Sequence, residues 1–154
     1  MLDDTDKKIL SILQRDGRIT NSRLAQQIGL SPPAVLERVR RLEASGVIER
    51  YIALLNREKA GYNVQTIVMV CLSHHQISSL QKVKERLTQM EEVLECHQLT
   101  GDVDFLLKVA VKDMAGYTDF VNNKLSGIPG IQNVKTSFIL DTLKNSTSLK
   151  LLDD

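Results

Sequence analysis

Two consecutive prolines, Pro32 and Pro33, constrain this chain more than any other feature. Proline has no backbone N–H and a locked φ, so it suits the first turn of a helix and disrupts the interior of one. A helix here must therefore begin at this pair. Ser31 can supply the start, its hydroxyl accepting a hydrogen bond from an otherwise orphaned backbone N–H. Behind it, Leu36, Val39 and Leu42 recur at three-residue spacing and predict one apolar stripe. Arg38, Arg40 and Arg41 point elsewhere, and Gly46 is a good residue to end the helix. The stretch from Leu30 to Glu49 thus reads as a short, capped helix with a cationic outer face, a shape the DNA major groove accepts. Basic helices are more often plain solvated surface, and Glu37 and Glu43 dilute this one, so the residues upstream decide.

Upstream, Asp3 to Gln14 predicts a first helix. Asp3 and Asp6 have the spacing of an acidic cap, and Ile9, Leu10 and Leu13 supply a buried stripe. Asp16-Gly17 is a turn dipeptide. Thr20 or Asn21 caps a second helix with Leu24, Ala25 and Ile28 inward, and Gly29 closes it where a tight turn calls for positive φ. Two helices joined by a short Gly-containing turn form a helix-turn-helix, which makes the proline-led helix the recognition element. Its groove-facing positions are Ser31, Ala34, Glu37, Arg38 and Arg41, while Arg40 lies more laterally and suits a backbone phosphate.

Charge is consistent with this placement. Through Leu55 there are nine Lys/Arg against seven Asp/Glu, and the remainder carries eleven against twelve. The whole chain is only +1, which argues against a protein that coats nucleic acid indiscriminately. The acidic start MLDDTDKK is unlike a signal peptide, and no apolar run reaches membrane-spanning length, so a cytoplasmic, nucleoid-associated protein with no membrane partner is expected.

Val47 to Leu55, VIERYIALL, is β-rich and reads as a short strand or wing, followed by a polar linker from Asn56 to Gly61. From Val64 the texture changes. VQTIVMVCL predicts a buried strand, Ser78 to Met90 an amphipathic helix, and Val93 to Leu99 a second strand. TGDVD is a polar turn before the strand FLLKVAV. Met114 to Leu125 is a helix capped by Asp113, and Ile131 to Leu140 a fourth strand. The order β-α-β-β-α-β is that of a ferredoxin-like unit, with two helices on one sheet face and the other face open. Met69, Cys71, Leu107 and Phe138 are candidates for that open face, whose apolar area predicts a dimer. The expected architecture is α+β. Residues 1–48 form a winged helix-turn-helix, 49–62 a strand-containing linker, and 63–154 a ferredoxin-like (RAM/ACT-like) domain for sensing and oligomerisation.

No enzymatic signature is present, and no catalytic residue is assigned. Cys71, His74 and His75, with Cys96 and His97, do not have a recognised zinc spacing, and no metal or cofactor is expected. The two cysteines read as free thiols.

Three segments together resemble the Lrp/AsnC, or feast/famine, transcriptional regulators. They are LDDTDKKILSILQRDGRIT, LSPPAVLERVRRLEASGVIERYIALLN, and TGDVDFLLKVAVKDM with IPGIQNVKTSFIL. The resemblance implies a sequence-specific regulator of double-stranded DNA that dimerises, assembles further into octamers, and responds to an amino acid or related metabolite. It also implies an effector pocket formed by Gln98, Gly101, Asp102, Asp104, Met114, Thr136, Ser137, Phe138 and Ile139. Asp104 would take the effector's amine, and Thr136 with Ser137 would donate to its carboxylate. By themselves Asp102 and Asp104 would read as turn-formers. Ser137 stands where the family often has a larger residue and Phe138 where smaller aliphatics are common, two departures that bear on side-chain preference. The competing expectation is an architectural, nucleoid-organising DNA protein with little effector dependence.

Overall fold

Asp3 and Asp6 open the first helix with a reciprocal cap: the Asp6 N–H donates to Asp3 Oδ1 at 2.7 Å and the Asp3 N–H to Asp6 Oδ2 at 3.4 Å. The computed structural model describes residues 2–73 and 80–152. It divides into two compact units, Met1–Leu54 with Lys144–Asp154, and Leu55–Leu143.

In the first unit, α1 (Asp4–Leu13) is followed by α2 (Asn21–Ile28), capped by the Thr20 hydroxyl, and α3 (Pro32–Ala44), capped by the Ser31 hydroxyl. Gly29 takes φ 74° at the turn between α2 and α3. A side chain there would be strained even though no neighbour crowds it. The core is Ile9, Leu10, Leu24, Ala25, Val35, Val39 and Leu42. The buried stripe of α3 therefore runs through Val35 and not Leu36, which is half-buried. Spacings of four and three residues follow the helix pitch, whereas repeated steps of three drift off the face.

No strand forms between Val47 and Leu55. A strand exists only through a paired neighbour, and the four strands among the described residues all belong to the other unit. Ile52, Leu54 and Leu55 are instead 65%, 72% and 78% exposed. Tyr51 is the fixed point of this segment, its hydroxyl donating to Glu43 Oε1 at 3.0 Å. The residues from Lys144 onward depart from the expected boundaries, because they join the helical unit and not the sheet unit. The Leu149 N–H donates to Gln14 Oε1 at 2.6 Å, Gln14 Nε2 donates to the Leu149 carbonyl at 3.1 Å, and Leu151 packs against the helical core.

The second unit contains β1 (Val64–Leu72), α4 (Leu80–Thr88), β2 (Val93–Gln98), β3 (Phe105–Val111), α5 (Met114–Asp119) and β4 (Ile131–Phe138). A π-helical turn, Phe120–Leu125, continues α5. The sheet order is β2-β3-β1-β4, all antiparallel, as the ferredoxin-like pattern predicts. Ser78, His74 and His75 lie outside the described residues. Among the described residues no helix is long and apolar enough to cross a membrane.

Residues on one sheet face alternate with those on the other. Val68 and Val70 of β1, with Phe105, Leu107 and Val109 of β3, meet Val83, Leu87, Phe120 and Leu125 in one core. The register places Thr136 opposite Val68 and Phe138 opposite Thr66, so both lie on this helix-covered face. Leu107 and Phe138 are thus not on the open face. Leu107 is fully buried, and the Phe138 ring stands edge-on to Tyr117 at 5.0 Å. The open face carries Ile67, Met69, Leu106 and Ile139, with Lys108 paired to Glu95 at 2.8 Å toward one edge.

Candidate functional site

The candidate DNA surface is built on α3. Opposite its buried stripe lie Pro33, Glu37, Arg40, Arg41 and Ala44, all exposed. Ser31 is exposed at the helix start, but Pro32 and Pro33 carry no N–H and the Ala34 N–H is taken by the Ser31 hydroxyl, so the first turn of α3 offers a phosphate no free backbone donor, against the expectation from the helix N-terminus. Ala34 and Arg38 flank this outer arc and are half-buried. Arg40 therefore faces outward more squarely than Arg38, the reverse of the order the spacing suggested.

The arginines also differ in what they touch. Arg38 Nη1 donates to Asp3 Oδ2 at 2.7 Å and to Asp6 Oδ1 at 2.8 Å. Arg41 Nη2 donates to both oxygens of Asp6 at 2.9 Å. Asp6 is only 3% exposed, and a buried carboxylate is costly unless paired and hydrogen-bonded. Two turns of α3 are thus ionically tied to the first turn of α1. The Arg38 guanidinium holds the Asp3 carboxyl below the usual carboxylate range, with the Asp6 N–H adding to the effect. The stability this confers is present above the ordinary value of 3.8 and is lost as pH falls below it. Arg40 and Arg23 face no carboxylate among the described residues.

Sequence reasoning treated Asp3 and Asp6 as a cap alone. A signal was present: acids spaced by three on α1 match arginines spaced by three, Arg38 and Arg41, on α3. Either pattern by itself reads as ordinary helix surface.

Tyr51 gives this unit an alkaline signature. Burial, then the hydrogen bond to Glu43, pushes its phenol up from 10.0 to about 12. Its contribution to stability is complete below pH 10 and is lost as pH rises through 12. We expect Tyr51→Phe to flatten the fall in melting temperature across that window, measured against the unsubstituted protein by circular dichroism.

In the sheet unit, the turn between β2 and β3 is stitched to the end of β1. The Leu99 N–H donates to the Asp104 carbonyl, the Asp104 N–H to the Val70 carbonyl, and the Leu72 N–H to Asp104 Oδ2 at 2.7 Å. Cys71 Sγ donates to the Asp102 carbonyl at 3.3 Å. Gly101 has φ 107°, a conformation that favours glycine. Gln98, at the end of β2, and Asp102 are exposed, while Asp104 is half-buried with one carboxylate oxygen committed to the backbone.

The remaining candidates lie elsewhere. Met114 follows the far end of β3, and Phe138 pairs with Thr66 near the start of β1. From Val70, which meets the turn, to Thr66 is four residues of strand, about 13 Å at ~3.3 Å per residue. Within one chain Met114 and Phe138 therefore sit toward the opposite end of the sheet from the turn, while Thr136 and Ser137 lie near its middle, opposite Val68 and Ile67. The last-strand residues are further divided by face: Thr136 and Phe138 point to the helices, Ser137 and Ile139 to the open side. The Thr136 hydroxyl accepts from the Tyr117 hydroxyl at 2.7 Å. Tyr117, which also meets the Phe138 ring, reads from its spacing as an inward helix residue and was not among the candidate effector residues.

Comparison with known proteins agrees with both units. Residues 2–49 match the winged helix-turn-helix DNA-binding family and residues 65–149 the Lrp/AsnC ligand binding domain. The leucine-responsive regulatory protein of Escherichia coli (strain K12) is 38% identical over 148 residues, 96% of this chain and 90% of that one. A transcriptional regulator from Neisseria meningitidis, solved as an L-methionine complex, superposes with TM-score 0.93 at 36% identity, covering 98% of this chain and 97% of that one. A feast or famine regulatory protein from M. tuberculosis, also complexed with L-methionine, gives TM-score 0.88 at 31% identity over 97% and 99% of the two chains.

Proposed function

The chain belongs to the Lrp/AsnC family of DNA-binding transcriptional regulators, which are not enzymes, and on that premise we propose that a free L-α-amino acid is the signal it senses. The observation that carries this reading is the second oxygen of Asp104. Its Oδ2 is held by the Leu72 N–H, which fixes the carboxyl group and leaves Oδ1 to accept from an ammonium. The L-methionine complexes of two relatives support the same ligand class.

The separation of the candidate residues adds a second element. Gln98, Gly101, Asp102 and Asp104 at one end of the sheet are far from Met114 and Phe138 at the other, and Ser137 faces away from Thr136 and Phe138, so one chain does not gather them all around a single amino acid. We therefore read the effector site as completed by a second subunit. Effector and assembly are then linked by mass action, because a ligand held between subunits favours the assembled form. A dimer through the open sheet face provides the first level of that assembly and presents two α3 helices to two half-sites.

The test is a melting-temperature screen across the twenty amino acids, followed by Asp104→Asn with the ligand that shifts it. Saturating effector at a hundredfold excess over Kd is expected to add about 2.7 kcal/mol. The Asn variant keeps an acceptor for Leu72 but removes the charge. It is expected to weaken effector binding by a factor of about ten to a hundred, the worth of one charge-assisted hydrogen bond. A screen in which no amino acid moves the melting temperature would instead favour the architectural, effector-independent reading.

A further inference from the structure

Asp6 is the only buried charged side chain among the described residues, and every guanidinium that reaches it comes from the recognition helix. We propose that Asp6, assisted by Asp3, is a specificity-determining residue for DNA reading, holding Arg38 and Arg41 so that neither is free to follow the nearest phosphate. This rests on α3 being the helix that enters the groove.

The chemistry of the guanidinium carries the argument. It is a planar fork with five N–H donors. Arg38 uses Nη1 on both acids, and Arg41 uses Nη2 on Asp6 alone, so each retains Nε and one Nη. A fork pinned at one nitrogen has its plane held at a set angle: Arg38, held at Nη1, keeps the Nε–Nη2 edge that bidentate recognition of a base requires, while Arg41, held at Nη2, keeps single donors at Nε and Nη1. An unpinned arginine on its flexible stem binds phosphates irrespective of sequence. Electrostatics point the same way. Asp3 and Asp6 offset the two charges locally, so Arg38 and Arg41 add less to non-specific attraction than free arginines would. Arg40, which faces no carboxylate among the described residues, is left as the unrestrained cation of the helix.

The roles of the two acids differ in degree. The Asp6 side chain is 4% exposed and touches both arginines, whereas that of Asp3 is 51% exposed and touches only Arg38. Releasing Asp6 should therefore free Arg41 and loosen Arg38, which Asp3 still touches, whereas releasing Asp3 loosens Arg38 alone.

The experiment measures Kd of the full-length protein, without amino acid, for a duplex from upstream of its own gene and for a random duplex of equal length, across a salt series. Asp6→Asn is expected to tighten binding to the random duplex about tenfold at low salt. It should steepen the slope of log K against log salt by about 1 to 2, at about 0.9 per phosphate, and lower the specificity ratio about tenfold. Asp3→Asn should move the slope in the same direction by at most about 1. A merely structural Asp6 would lower the melting temperature and weaken both duplexes in parallel with the slope unchanged, and that result would overturn the proposal. So would a folded Asp6→Asn protein with unaltered slope and ratio. Should Asp6→Asn fail to fold, Asp3→Asn decides, and an unchanged slope there counts against the proposal. If the unsubstituted protein shows no preference for its own upstream duplex, selective reading by α3 fails. The slopes on random duplex still show whether the acids restrain the arginines.

Discussion

Phe120→Ala is expected to destabilise the sheet unit by about 3–5 kcal/mol, the cost of a large-to-small change at a fully packed site. Phe120 has no exposed surface and belongs to the same cluster as Val68, Val70, Leu107 and Leu125. It also sits where α5 gives way to the π-helical turn, its N–H bonded to the carbonyls of Gly116 and Tyr117. That backbone change limits how far the surroundings can collapse into the space a lost ring leaves. Urea denaturation provides the measurement: the midpoint should fall while the slope m stays constant. A loss below about 1 kcal/mol would mean that the site relaxes to fill the cavity.

On the proposal that the open sheet face forms a dimer, Met69→Glu is expected to leave the protein monomeric. Met69 lies at the centre of the open face, beside Leu106 on β3 and Lys135 on β4, in one of the two strands with a neighbour on each side. If two copies cover these faces with one another, the substitution places two carboxylates in the covered apolar layer. Taking each carboxylate out of water costs several kcal/mol even with Lys135 beside it, comparable to what covering a few apolar side chains contributes at ~25 cal/mol per Å². Sedimentation should then report one chain's mass. Affinity for an operator with two half-sites should fall steeply, because each α3 must bind without its partner. A variant that remains dimeric would place the interface somewhere other than this sheet face.

The two central strands of the sheet unit, β1 and β3, were legible because they are buried. VQTIVMVCL and FLLKVAV are bounded by polar residues, and they coincide with β1 and β3. Ser31, Thr20, Asp3 and Gly29 likewise announced their helix ends through chemistry that acts over three or four residues. Features that depend on distant partners were less accessible. The segment from Val47 to Leu55 has strand composition, yet nothing among the described residues pairs with it as a strand. The π-helical turn uses the same residue types as an α-helix and has no compositional mark.

Register matters most at the candidate effector residues. The resemblance indicated which residues to consider, but only the pairing of β1 with β3 and β4 separates the turn residues from the last-strand residues. In the same way, Arg38 and Arg41 were legible as cations. Their engagement with Asp3 and Asp6 depends on how α1 crosses α3, which spacing along either helix does not encode.

The pairing of Gln14 with Leu149 has a consequence for the birth of the molecule. These residues are 135 positions apart, and between them lies the entire sheet unit. At ~5–20 residues per second on the ribosome, α1 waits on the order of ten seconds for the residues that complete its packing. The sheet unit is released in the meantime. Although the helices are synthesised first, they are finished last, and until then the flank of α1 is open to chaperones and proteases.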